Sequence, residues 1–413
     1  MASTSGAARA AALPLQGLRV LEMGQLIAGP FAGCILGYFG AEVIKVEPPV
    51  TGDALRSWRV LDDGGTSFWW RSMARNKKGV TVNLREARGR ALVHDLICRS
   101  DVVLENFRPG TMEKWNLAPE RYRTDKPELV YTRVSGYGQT GPNSHLPGFA
   151  SACEGYGGFR YLNGYPGEAP VRPNLSIGDT LAAMNAVIGT LVALQGRQAN
   201  GGRGQTVDVS IYESVFGMLE GVVPEFDGAG VVREPSGTTV TGISPTNTYL
   251  CGDGKYVVIG GNGDSIFIRL CEAMGRDELG EDERLGSNAG RVEHQAEVDD
   301  AIEAWTKMLP ASGVRAALDA AGVPNGAINS IADMMSDPHF RERGMFEEVE
   351  IEGGEGGGGT LKVPAMVPKL ESTPGRTKWA GMTELGAFND EIFGGLLGLS
   401  TETLVQLRED NII

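Results

Sequence analysis

The chain has 413 residues, of which 41% are hydrophobic and 22% charged, as in ordinary soluble globular proteins. Its 52 acidic and 38 basic side chains leave a net charge of -14, which disfavours nonspecific binding to nucleic acid or to anionic membranes. A small anionic ligand in a local basic pocket stays possible, and at about 150 residues per domain the length predicts two or three domains.

Arg19 to Met23 reads as a short strand. Gly24 to Gly33 mixes small residues with Pro30 and reads as a tight connection opening a helix that Gly40 ends. Glu42 to Glu47 (EVIKVE) is a second strand, so the stretch from Leu18 predicts a right-handed βαβ unit in a parallel sheet. The helix N-terminus then faces the carboxyl ends of the strands, where such sheets bind anionic ligands. A dinucleotide is the first candidate, with Glu47 near the place of a ribose-binding acid. The glycines do not fit, since AGPFAG puts Pro30 where the fingerprint needs its second glycine.

A polar loop, Pro48 to Asn76, carries Gly52-Asp53 and Trp69-Trp70. Strands are predicted at Lys77 to Leu84, Asp101 to Glu105 and Leu129 to Val134, with helices at Arg85 to Arg99 and Met112 to Trp115. Strands alternating with helices indicate a Rossmann-like, doubly wound α/β domain. The most apolar helix lies within Asn174 to Gly201 and reads as a core helix; no apolar run is expected to span a membrane. Gln205 to Ser210 is a strand and Ile211 to Glu220 a helix.

After about residue 225 the character changes. Asn247 to Leu250 and Lys255 to Ile259 form a hairpin through Gly252-Asp253-Gly254. Helices follow at Ile266 to Met274, Val292 to Met308 and Ser312 to Ala321. Phe346 to Glu352 and Leu361 to Val367 form another hairpin, with the glycine-rich tip GGEGGGGT as a loop. Helices at Asp390 to Leu397 and Thr401 to Asp410 close the chain. The expected organisation is a large α/β domain at 1–225, a smaller α+β domain at 226–330, and a segment at 331–413 returning to the large domain.

Five scattered cysteines (Cys34, Cys98, Cys153, Cys251, Cys271) with no C-x-x-C read as buried thiols of a reducing compartment, the cytoplasm or the mitochondrial matrix. The four histidines have no metal-ligand spacing, so no metal site is expected. Met1 to Leu13 reads as a flexible tail or a degenerate transit peptide.

Six stretches now stand in one order: LRVLEMGQLIAGPFAGCILGYFGAEVIKVEPP, RNKKGVTVNL, SDVVLENFRPGTMEKW, SGYGQTGP, SIGDTLAAM and GRGQTVDVSIYESV. Together they resemble the family III CoA-transferases, the group that includes formyl-CoA transferase. The resemblance implies an interlocked, ring-like homodimer, acyl-CoA and small carboxylic acids as substrates, and no permanently bound cofactor.

It also implies a residue-specific site. Gln25, Ile27 and Ala28 match the family's loop after the first strand. Val82 and Arg85 match a second CoA-binding stretch, Asn106, Phe107 and Arg108 a third, and Lys114 a further basic position. Arg and Lys suit phosphates, and Phe107 with Val82 suits an adenine; core packing or a solvated helix face is the structural alternative. Asp179, in SIGDTLAAM, matches the catalytic aspartate, although an Asp before an apolar helix also reads as an N-cap. Gly260, Gly261, Asn262 and Gly263 match a glycine loop placed over that aspartate, where bare N–H groups could hold an acyl oxygen; a plain strand-to-helix turn is the alternative.

Two departures stand out: Pro48 replaces an arginine that several members carry, and Ala150 replaces an acid common in transferases. The same fold carries α-methylacyl-CoA racemases, whose histidine lies in a GHD motif. Here that stretch is Gly148-Phe149-Ala150, with His145 nearby. The run GGFRYLNGYPGEAPVRPNLSIGD resembles members using succinyl-CoA and C4 to C6 dicarboxylates such as itaconate, malate, citramalate or glutarate, with Arg160 or Arg172 as a partner for the distal carboxylate.

Overall fold

The computed structural model describes residues 12–352 and 358–413. The N-terminal tail and the glycine-rich hairpin tip fall mostly outside these residues. The chain folds as two compact units. The first comprises the residues up to Phe159, then Pro173–Leu219 and Phe340–Ile413; the second comprises Arg160–Arg172 and Glu220–His339.

The first unit holds a six-stranded sheet of β1 (Arg19–Glu22), β2 (Glu42–Glu47), β3 (Lys77–Thr81), β4 (Val102–Glu105), β5 (Val130–Ser135) and β6 (Thr206–Ser210). Every pairing is parallel, in the order β3-β2-β1-β4-β5-β6. Successive side chains go to opposite faces, and both faces are covered. Leu21, Ile44, Val80 and Val103 pack under the Ala87–Cys98 helix and the C-terminal segment. Val20, Val43, Val102 and Val130 pack under the Ala28–Tyr38 and Ile177–Ala199 helices. That double cover explains strands that read as nearly unbroken apolar runs. Strand order reverses between β1 and β4, and the carboxyl ends there form the crevice where open α/β sheets bind ligands.

Some boundaries differ from the sequence reading. β3 stops at Thr81, because the Asn83 N–H donates to the Ile412 carbonyl (2.8 Å) and leaves the ladder. The helix read at Val292 to Met308 breaks at His294. Asp390–Leu396 turns as a π-helix and, with Thr401–Glu409, buries Phe393, Leu404 and Leu407 in the large core.

The Ile177–Ala199 helix corrects two expectations. It is 23 residues long and apolar enough to cross a membrane by length and composition. Nor is it buried all round. Ala182, Ala183, Ala186 and Ala193 pack in the core, whereas Met184, Ile188 and Val192 are exposed.

In the second unit β7 (Thr246–Leu250), β8 (Tyr256–Gly260) and β9 (Asn325–Ala327) form an antiparallel sheet. Its core joins Val257, Ile259, Phe267, Leu270, Ile302 and Trp305. Arg160–Arg172 also belongs to this unit; its glycines and prolines mark a loop in the sequence but not the unit it joins. Phe346–Ile351 and Gly359–Pro364 pair as the expected hairpin in the first unit.

Candidate active site

The site builds outward from the β1–β4 switch point. Gly24 to Ile27 leave β1, and Ala28 opens the first helix with Ile27 as a cap that makes no side-chain hydrogen bond. Asn106, just past β4, ties the two loops together. Its Oδ1 accepts the Gln25 N–H (2.9 Å), and its Nδ2 donates to the Gln25 carbonyl (2.9 Å). The Asn106 amide is thus committed to the backbone, and Asn106 forms part of the site's wall. Leu26 adopts φ 65°, a left-handed conformation uncommon outside glycine, with its N–H held by the Asp53 carboxylate at 3.1 and 3.2 Å.

Two cavities open at the carboxyl ends of the sheet. One, of about 320 Å³, is lined by Gln25 to Ala28, Asn106 to Pro109, Ser135, Gly136 and Asp179. The other, of about 530 Å³, is lined by Pro48 to Thr51, Val82 to Arg85, Trp115 and Asn411. Gln25 and Phe107 line both. Each volume is in the range of small-molecule sites.

The expected ligand-binding residues distribute unevenly between them. Gln25, Ile27, Ala28, Phe107 and Arg108 line the first cavity, and Arg108 is exposed. Phe107 packs edge-on against Trp115 with ring centroids 5.1 Å apart, so it is both packed and cavity-lining. Arg85 is exposed at the second cavity. Val82 lines it too, but its side chain is buried in the core among Val80 and Leu92. Lys114 is exposed and lines neither cavity; its neighbour Trp115 takes that wall. Pro48 makes an apolar lip with Pro49 and Val50, and the exposed Val50 has φ 70°.

Glu47 is not available for a ribose. It is buried, pairs with Arg56 at 2.7 and 2.9 Å, and accepts the Asp53 N–H.

Asp179 is the third residue of its helix and half-buried. Ser176 occupies the cap position, so Asp179 is no N-cap. An anionic side chain in a first turn is stabilised by the helix dipole. The helix start is fixed from below by Glu154, a fully buried carboxylate that accepts the Gly178 N–H at 3.1 Å. Sequence reasoning missed Glu154. The available signal was its spacing, one helical turn after Ala150 on the buried face of the Ala150–Tyr156 helix. Burial, with the charges of Asp179 and Glu154, pushes the Cys153 thiol up to about 11, so it is no thiolate nucleophile near neutral pH.

Gly136 and Gly148 complete this wall back to back, where a Cβ on either would meet the other's Cα at 2.7 to 2.8 Å. That close approach accounts for the glycine of Gly148-Phe149-Ala150. His145 is exposed and does not line the cavity, so no imidazole base faces Asp179 among the described lining residues.

The glycine stretch belongs to the second unit, and two of its expected free donors are committed. The Gly260 N–H donates to the Pro324 carbonyl (2.9 Å) and the Gly261 N–H to the Pro245 carbonyl (2.8 Å). The Asn262 carbonyl accepts from the buried Arg291 guanidinium (2.6 Å), and Gly263 precedes the Asp264–Met274 helix. The turn is built as a strand-to-helix connection. Arg160 and Arg172 also belong to the second unit.

Comparison with known proteins adds four findings. A family model described as CoA-transferase family III matches residues 15–387. The chain is 46% identical over 400 residues to the succinyl-CoA–D-citramalate CoA-transferase of Chloroflexus aurantiacus, covering 97% of this chain and 98% of that one. It is 41% identical over 403 residues to the succinyl-CoA–L-malate CoA-transferase alpha subunit of Chloroflexus aurantiacus, covering 97% and 93% respectively. Among solved structures, a CAIB/BAIF family protein from Brucella suis superposes with a TM-score of 0.81 at 30% identity, covering 94% of this chain and 100% of that one.

Proposed function

We propose a substrate pair and a mechanism for this chain, which belongs to CoA-transferase family III and is an enzyme that transfers CoA between carboxylic acids. The donor is succinyl-CoA and the acceptor a C4 to C6 dicarboxylate, with citramalate and malate first in line. The names of the two relatives above support this choice. Neither the racemase nor the dehydrogenase reading has support in the site, which lacks the imidazole of the first and the glycine fingerprint of the second.

The observation that carries the mechanism is one cavity holding Asp179, the Gln25–Ala28 loop and Phe107. CoA lies across the switch point, its nucleotide end toward Arg85 and the apolar lip and its thioester toward Asp179. An Asp179 carboxylate oxygen attacks the thioester carbonyl, the C–S bond breaks, and an aspartyl–succinyl anhydride and CoA thiolate form. The thiolate attacks the aspartyl carbonyl, which releases succinate and leaves an aspartyl-CoA thioester. The acceptor carboxylate attacks that thioester, giving a second anhydride and the thiolate. Attack of the thiolate on the acceptor carbonyl then forms the new acyl-CoA and frees Asp179. Every step exchanges acyl groups between oxygen and sulfur, so the thioester energy is kept without ATP or redox chemistry.

The working form is a homodimer, for which the exposed apolar face of Met184, Ile188 and Val192 is the supporting feature. The five free thiols fit a reducing compartment, cytoplasm or mitochondrial matrix. The substrate pair is tested by incubating the enzyme with succinyl-CoA and single acceptor acids and reading the CoA esters by mass spectrometry. Citramalyl-CoA or malyl-CoA is expected. Absence of an acceptor-derived ester with every C4 to C6 dicarboxylate would overturn the substrate class.

A further inference from the structure

Beneath the Gln25–Ala28 loop lies a buried ionic network that the reaction itself does not use. Glu22, Lys45, Asp53 and Lys77 are each 3% exposed or less. Lys45 Nζ lies 3.0 Å from Glu22 Oε1 and 2.9 Å from Asp53 Oδ2, and Lys77 Nζ lies 2.7 Å from Glu22 Oε2. Glu47 and Arg56 extend it, since the Glu47 carboxylate accepts the Asp53 N–H at 2.9 Å.

The network grips the loop and the helix that follows it at three backbone atoms. Lys45 donates to the Gly24 carbonyl (2.8 Å), Lys77 donates to the Pro30 carbonyl (2.6 Å), and Asp53 accepts from the Leu26 N–H. The seat is tight: a Cβ on Gly33 would stand 1.9 Å from Glu22 Oε2. Burying such charges is often no more stabilising than apolar packing of the same volume, so stability alone does not explain the arrangement. What it achieves is local. Leu26 sits at φ 65°, and a residue so placed persists only where its surroundings over-determine it. The next residues, Ile27 and Ala28, line the Asp179 cavity, and Ala28 opens a helix whose first N–H groups have no intrahelical partner.

We propose that Asp53, supported by Lys45, is a positioning residue for CoA transfer: it holds Leu26 in the left-handed conformation that presents the Gln25–Ala28 loop to CoA. The inference rests on the reading of this cavity as the CoA site. Without the Asp53 carboxylate, Leu26 relaxes to negative φ and the loop turns away from the cavity.

Calorimetry with CoA and steady-state kinetics with succinyl-CoA test this on four proteins. Asp53→Asn is expected to raise the CoA Kd and the succinyl-CoA KM about tenfold, equivalent to roughly 1.4 kcal/mol, with kcat changed far less. Leu26 is half-buried, so its variants spare the core if Asp53→Asn fails to fold. Leu26→Val, a β-branched residue that resists positive φ, is expected to raise Kd about as much as Asp53→Asn and clearly more than Leu26→Asn, which tolerates it. Equal Kd for the Val and Asn variants, or a folded Asp53→Asn protein with wild-type Kd and KM, overturns the positioning role. Wild-type protein that gives no heat with CoA overturns the site reading beneath it.

Discussion

At the scale of single residues, the account turns on Asp179. It lines the cavity from the first turn of its helix, where the dipole favours an anionic side chain. Asp179→Asn is expected to fold and bind CoA yet lose transfer by about 10³-fold or more, because an amide cannot replace the nucleophile. Initial rates and CoA calorimetry on the same preparation check this; near wild-type turnover would make Asp179 a structural residue. Asp53 gives a prediction in pH. Burial works to raise its carboxyl, but the Lys45 ammonium and the N–H groups of Leu55 and Leu26 hold it below the usual aspartate value of 3.8. A lowered folded-state value means that the stabilisation is complete above pH 3.8 and is lost as pH falls through the folded value. Urea midpoints followed from neutral pH down to about pH 3 should therefore fall more steeply for the wild type than for Asp53→Asn. Parallel curves would show that the pair is uncoupled from folding. Asp179 was legible only through its motif, since an Asp ahead of an apolar helix also reads as a cap. Lys45 and Asp53 were not legible: a lysine in a strand is ordinarily exposed, and only the cover on both faces of β2 forces Lys45 inside.

At the scale of elements, the strand–helix–strand start and the parallel, doubly wound character of the sheet follow from local pattern, because apolar runs separated by glycine and proline specify a βαβ unit. What pattern could not supply was tertiary pairing. The Val82 to Arg85 stretch leaves the sheet to meet Ile412, more than three hundred residues later. The glycine loop after β8 shows the same limit. Its composition suggested donors for an acyl group, yet Gly261 is required by packing: a Cβ there would stand 2.8 Å from Leu270 Cδ2 and 3.1 Å from Pro245 Cγ. Gly261→Val is therefore expected to destabilise the second unit by about 1–3 kcal/mol, as overpacking does. Thermal unfolding followed beside activity decides the matter. An unchanged melting temperature with slowed transfer would return the loop to a role over the acyl group.

At the scale of the whole molecule, the family and the two-part α/β organisation were legible from six motifs in order, whereas the excursion of Arg160–Arg172 into the second unit was not, since its glycines and prolines mark a loop without saying which unit that loop joins. The Ile177–Ala199 helix looked like core because it is apolar on most faces; the structure leaves one of those faces uncovered within a single chain. Light scattering is expected to give twice the chain mass at micromolar concentration, and an active monomer would contradict the dimer. Because one of the chain's relatives is named an alpha subunit, the measurement is made on the chain purified alone. The central claim is a covalent carrier at Asp179, and it is tested most directly by trapping. The wild-type enzyme is incubated with succinyl-CoA without acceptor, quenched with hydroxylamine and digested, and the peptides are mapped by mass spectrometry. The account predicts one hydroxamate, on Asp179, that forms only when succinyl-CoA is present. A modification on any other residue, or none under conditions that support full turnover, would contradict it.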